Sequence, residues 1–267
     1  MVTDQLKTQL EQHGIAICKW RTAMDSNQRI AKITNKQGSY WLKKAAPSRG
    51  VFRYHALNLF SRLLRLPLLK AVTQPGGNTA IANEIKRIQS LASLGILVPE
   101  IVAYADSWFL IKDIGTSIIK TMKQKSTTQN RRQQLFIACL KAIKHVHNRN
   151  QYLSQAFIRN LLLHDEQSMQ VAFIDFEDDP LSVMNLAQAQ ARDVLLLVNS
   201  TARFFVEDAA FFIDSIQKFL TGHDPEMIEA LRTTANRMQW ITRIPFQKLF
   251  GHDYQKLKTG ILALKNL

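Results

Sequence analysis

The sequence predicts an α+β fold in two lobes, a β-rich N-terminal lobe over residues 1–115 and a mainly helical C-terminal lobe over residues 116–267. Three observations carry the prediction. Short runs of alternating or β-rich apolar residues fill the first part, and one long helical pattern, "TAIANEIKRIQSLASLG", interrupts them. "KDIG", residues 112–115, reads as a linker, and after it the periodicity turns helical.

In order, residues 4–12 read as a short helix. "GIAICKW", "RIAKITN" and "SYWLKKA" predict strands, with turns at "DSNQ" and "NKQG". Residues 51–73 form a basic amphipathic stretch, with Leu57, Phe60, Leu63 and Leu64 at helical spacing and Arg53, Arg62, Arg65 and Lys70 between them. "TQPGGN" breaks the chain before the main helix, which ends at Gly95. "ILVPEIVAYADSWFLIKDIG" gives two more strands and the linker. Beyond it, "NRRQQLFIACLKAIKHVHN" is an amphipathic helix and "FIRNLLLHDEQSMQVAFIDF" a loop with a short hairpin. Residues 186–206, 207–221, 225–240 and 245–265 predict four further helices. Trp41 and Trp108 are expected in the core.

The net charge of +14 points to an anionic partner such as a nucleotide, a phosphorylated sugar, a nucleic acid or an acidic membrane. No nucleic-acid-binding module is visible, which makes nucleic acid the least favoured of these. Two distant cysteines, Cys18 and Cys139, form neither a disulfide framework nor a zinc spacing, so a reducing compartment is expected. The polar N-terminus is no signal peptide, and no uncharged apolar stretch approaches 18 residues. The expectation is a cytoplasmic protein, or one peripheral at the inner membrane. His13, His55, His164, His223 and His252 share no ligand spacing, and Ser154 and Ser200 lack a nucleophile-elbow context.

Phosphoryl transfer needs a cation on the nucleotide phosphates, metal ligands and a group that orients the acceptor. Lys43 ends a strand where an ammonium can reach phosphates, with Lys44 as the alternative, and Glu84 on the next helix can pair with it. Each could equally be an ordinary surface charge. Asn160 and Asp175 offer the hard oxygen donors that Mg²⁺ prefers, although Asp175 could also simply cap a turn. Glu177, Asp178 and Asp179 add negative charge that either helps to hold a metal or is solvated.

"HVHNRNQYLSQAFIRNLLL", followed by "VAFIDFEDD", resembles the catalytic segment of the protein-kinase-like superfamily. It is nearest to the lipopolysaccharide core kinases and to the RIO and aminoglycoside phosphotransferase branches. "YWLK" resembles the lysine strand, "GILVPEIVAY" the turn after the Glu-bearing helix, "WFLIKDIG" the hinge and "ARDVLLLV" the helix that buttresses the catalytic loop, over roughly residues 30–205. The resemblance implies ATP and Mg²⁺ as cofactors. It places Lys43, Glu84 and the backbone of Lys112, Asp113 and Ile114 on the nucleotide, His147 at the helix end, Asn160 and Asp175 on the metal, and Gln155 and Asp175 at the catalytic positions.

Two departures accompany it. The turn at "DSNQ" has no glycine-rich phosphate loop, and Leu153, Ser154 and Gln155 replace the usual His-Gly-Asp. An amide orients a hydroxyl but accepts no proton, so loss of the base lowers a rate by about 10²- to 10⁴-fold. The expected function is therefore an ATP-dependent phosphotransferase acting on a sugar or glycolipid hydroxyl at the cytoplasmic membrane face. The alternative is a pseudokinase, a regulatory or binding module without transfer. The basic stretch 51–73 either docks on anionic lipid or packs as an ordinary lobe helix with a solvated basic face.

Overall fold

Strands β1 (Ile30–Asn35), β2 (Gly38–Lys44), β3 (Ile101–Ala105) and β4 (Trp108–Lys112) form an antiparallel sheet ordered β1-β2-β4-β3. They belong to a computed structural model that describes residues 4–46, 68, 70, 72, 76–239 and 259–264. The pleat divides β2 between two environments. Tyr40 and Leu42 enter a core with Leu10, Ile15, Trp20 and Leu110, while Trp41 and Lys43 face a cavity on the other side. Trp41 is thus only half-buried and lines that cavity, a correction to its expected place in the core, whereas Trp108 is buried as expected.

Helix α1 (Asp4–Gln12) covers the sheet as predicted. The strand expected at "GIAICKW" is overturned, because Ile17–Asp25 form a helix, α2. Ile15 and Ile17 alternate locally, but the buried side chains of α2 are Trp20 and Ala23, three apart, with Cys18, Lys19, Arg21 and Thr22 exposed. Trp20 meets Trp108 edge-on at 5.4 Å between ring centroids, so one aromatic contact fixes the helix on the sheet. The "DSNQ" turn consequently joins a helix to β1, not strand to strand.

Helix α3 (Gly77–Ser93) packs Ile81, Ile85, Ile88 and Leu91 inward, with Glu84 on the same buried face. Gly95, at φ 70°, ends it in the left-handed turn that glycine takes without steric cost.

Past the linker come β5 (Thr116–Ser117), α4 (Ile118–Lys123), α5 (Gln129–His147), β6 (Leu161–Asp165) and β7 (Gln170–Phe173), the three strands forming a second sheet in chain order. Thr128 caps α5 by accepting from the Arg131 amide. Helices α6 (Leu186–Thr201), α7 (Ala209–Leu220) and α8 (Pro225–Met238) follow, α6 starting in a capping box of Asn185 and Gln188. Phe136, Phe205 and Phe212 stack against one another with centroids 4.8–5.2 Å apart at the centre of this helical core. The larger core runs from Ile81 of α3 and Phe109 of β4 through to Leu264.

Residues 259–264 are helical, and the rest of the helix expected at 245–265 lies outside the described residues. So does the basic stretch 51–73 apart from Leu68, Lys70 and Val72. The carbonyls of Leu68 and Lys70 both accept from Arg192 of α6.

Candidate active site

A cavity of about 580 Å³ opens between the four-stranded sheet and the β6–β7 hairpin. Lys43, Glu84, Lys112, Asp113, Ile114, Gln155, Asn160 and Asp175, the residues singled out in the sequence, all line it. Arg29, Trp41, Arg159, Leu162, Ile174 and Glu177 line it too.

The lysine comes from the face of β2 opposite Leu42, and the glutamate from the buried face of α3. Lys43 Nζ lies 2.8 Å from the Glu84 carboxylate, 2.7 Å from Glu177 Oε1 and 3.2 Å from Asp175 Oδ1. Burial pulls the ammonium toward its neutral form, but Glu84, Asp175 and Glu177 outweigh this and hold its pKa above the usual lysine range. Burial pushes Glu84 up against the pull of Lys43. Burial also works against the Glu177 anion, yet Lys43 and Arg29 together bring its pKa below the ordinary range. Glu177 is 7% exposed and bonded to Arg29 as well as Lys43, so it is not a solvated charge.

Lys44, the alternative, points away from the cavity. Its ammonium donates to the carbonyls of Ala23, Met24 and Ser26 at the C-terminal end of α2, where a cation suits the helix dipole.

Asn160 closes a short 3₁₀ turn, Ile158–Asn160, and Asp175 follows β7. Asn160 Nδ2 donates to the Gln155 carbonyl at 2.9 Å and approaches Asp175 Oδ2 at 3.4 Å. With Nδ2 so placed, the amide oxygen is the atom left for a cation. Asp175 sits at φ 72°, a region sparsely used by non-glycine residues and one that aspartate tolerates better than most. One carboxylate and one amide oxygen, side by side and next to an ammonium, are hard oxygen donors of the kind that would hold Mg²⁺.

Gln155 faces the cavity on a loop anchored from behind. Asp193 Oδ2 of α6 accepts the Leu153 amide at 2.7 Å and lies 3.3 Å from His147 Nε2, so Asp193 holds both the loop and the end of α5. Arg87, one turn after Glu84, donates to Gln151 Oε1 and the Tyr152 carbonyl and stacks on the Tyr152 ring at 4.1 Å. The Tyr152 hydroxyl donates to Asp179 at 2.9 Å, so α3, the loop and the segment after Asp175 are tied together.

At the hinge the amides of Lys112 and Asp113 already donate to the carbonyls of Glu100 and Ser39. Of the three residues whose backbone is expected to meet adenine, only Ile114 has an amide without a partner among the described residues. Trp41, Ile111, Leu162 and Ile174 supply apolar walls beside it.

Sequence reasoning missed Arg29. A lone arginine next to a turn resembles any solvated charge, and only the fold carries it over the cavity mouth beside Glu177. It also left Glu177 undecided, since no local pattern reveals its two cations. Among the described residues no cluster of three His, Cys, Asp or Glu forms a metal site, and no helix is long and apolar enough to cross a membrane.

An uncharacterized protein of Haemophilus influenzae (strain ATCC 51907 / DSM 11121 / KW20 / Rd) is 23% identical over 235 residues, which span 85% of this chain and 86% of that protein. The family model described as lipopolysaccharide kinase (Kdo/WaaP) matches residues 34–215, from the end of β1 into α7, and so takes in Lys43, Glu84, Gln155, Asn160 and Asp175. With that match over more than half of its length, the chain belongs to the lipopolysaccharide kinase (Kdo/WaaP) family.

Proposed function

We propose that the chain is an ATP-dependent phosphotransferase that moves phosphate to a sugar or glycolipid hydroxyl at the cytoplasmic face of the membrane. One observation carries the reading: Lys43, Glu84, Asn160 and Asp175, from four separate segments, converge on one cavity with 2.8 Å between Lys43 and Glu84. Burying an ion pair such as Lys43–Glu84 costs desolvation that packing alone does not call for, and a kinase-type site gives that burial a purpose.

Mg²⁺-bound ATP supplies an electrophilic phosphoryl group whose charge the site must balance. Asn160 and Asp175 would hold the metal through oxygen. Glu84 keeps Lys43 extended toward the phosphates, and the Ile114 amide with the Trp41 and Leu162 walls receives the base. Gln155 orients the acceptor hydroxyl by hydrogen bonding. Because no proton acceptor stands there, transfer runs slowly or the proton leaves with the phosphate oxygens.

Gln155 also favours a second reading, a pseudokinase that binds nucleotide without transfer. Turnover separates the two. ADP formation from ATP, measured with and without a purified lipopolysaccharide-core glycolipid fraction, should rise with the glycolipid as phosphate passes to its hydroxyl. Binding of ATP with no turnover on any such acceptor establishes the pseudokinase.

A further inference from the structure

Lys43 has three carboxylates within 3.2 Å, more than one ammonium needs, and Glu177 is the one that also pairs with a second cation, Arg29. Glu84 also accepts the Phe176 amide at 3.3 Å, and Asp175 lies against Asn160. The carboxylate of Glu177 has two partners among the described residues, Lys43 and Arg29, both cations of the cavity wall. The segment that carries Arg29 is itself firmly placed. Lys44 grips the end of α2, and Arg29 Nε reaches back to the Lys44 carbonyl at 3.4 Å. With no glycine-rich loop beside the cavity to offer backbone amides, an anion bound here needs a side-chain cation. Arg29 is that cation, and Glu177 lies on it.

We propose that Arg29 is a phosphate-binding residue that stands in for the missing glycine-rich loop, and that Glu177 is an internal competitor occupying Arg29 and Lys43 until a polyphosphate displaces it. The inference rests on the nucleotide reading above. It assigns to Arg29 a bidentate-capable contact with the β or γ phosphate, and to Glu177 a carboxylate whose charge stands in for phosphate on the two cations. Glu177 lies within residues 174–179, which have no regular structure, so its release disturbs no helix or strand.

Calorimetric binding of Mg²⁺-ATP and of adenosine to the full chain tests this in five proteins: wild type, Glu177→Gln, Arg29→Met, and Glu177→Gln combined with either Arg29→Met or Arg29→Lys. Glu177→Gln should tighten ATP at least threefold and leave adenosine unchanged. Arg29→Met should weaken ATP about tenfold or more in the Glu177→Gln background, again without affecting adenosine, and Arg29→Lys should restore part of the loss. If Arg29→Met has no effect in that background, Arg29 merely partners Glu177 and the assignment is wrong. If Glu177→Gln weakens ATP, Glu177 is a ligand and not a competitor. Should wild type bind neither ATP nor adenosine, the nucleotide reading itself fails and takes this inference with it. Far-ultraviolet circular dichroism of each variant identifies any loss of binding that comes from misfolding.

Discussion

Ser154 is fully buried at φ 69°, and its hydroxyl has no hydrogen-bond partner among the described residues. That left-handed backbone is one glycine adopts freely and serine does not. Ser154→Gly should therefore stabilise the fold by about 1 kcal/mol, the relieved strain and the removed orphan hydroxyl exceeding the added freedom of the unfolded chain. Urea unfolding checks this, and an unchanged or lowered midpoint would mean that the hydroxyl finds a partner. At the neighbouring position, Gln155→Asp should raise phosphate transfer by about 10²-fold or more by restoring a proton acceptor on an intact scaffold. Residues such as Lys43 and Asn160 were legible because strand alternation and motif spacing fix where they point. Arg29 was not, because its meaning comes from Glu177, 148 residues away along the chain.

Among the elements, the linker is held by contact geometry. A Cβ on Gly115 would sit 2.4 Å from the Leu163 carbonyl oxygen, backbone against backbone, so the chain entering β5 can pass β6 only as glycine. Gly115→Ala should cost about 1–3 kcal/mol and shift the hinge, lowering the melting temperature and weakening nucleotide binding together. A full-strength nucleotide site in that variant would show that hinge and pocket are independent. The element misread from sequence was α2, where Ile15 and Ile17 alternate as in a strand. Its outcome was decided by Trp20 meeting Trp108, a tertiary contact that overrides a weak local preference. The long helices α3, α5 and α6 were readable because their periodicity runs over four or more turns. The division of the chain near residue 115 stays a proposal. It agrees with a sheet that buries Leu42 and Leu110 against α1 and α2, while Phe109, from the same β4, joins the larger core.

For the whole molecule, one source of pH dependence lies beside His147 at the end of α5, where His223 packs against it. Burial, with His147 and Lys144 adding to it, lowers the His223 pKa from 6.5 to about 4. A depressed folded-state value means that the unfolded chain takes up the proton first, so stability is lost as pH falls from about 6.5 toward 4. His223→Gln should flatten urea midpoints measured between pH 7 and 4.5, and an unaltered slope would place the acid sensitivity elsewhere. The strong positive charge suits an anionic substrate or surface, and for the basic stretch 51–73 reversal of Arg62 and Arg65 should weaken binding to anionic vesicles. Unchanged vesicle binding would rule out docking through that stretch. The central claim is a metal-assisted nucleotide site built by Lys43, Asn160 and Asp175. A thermal-shift titration with ATP, with and without Mg²⁺, in wild type and Asp175→Ala tests it most directly. The account predicts Mg²⁺-dependent stabilisation of the wild type that disappears in Asp175→Ala, and equal stabilisation of the two proteins, or none that depends on Mg²⁺, would contradict it.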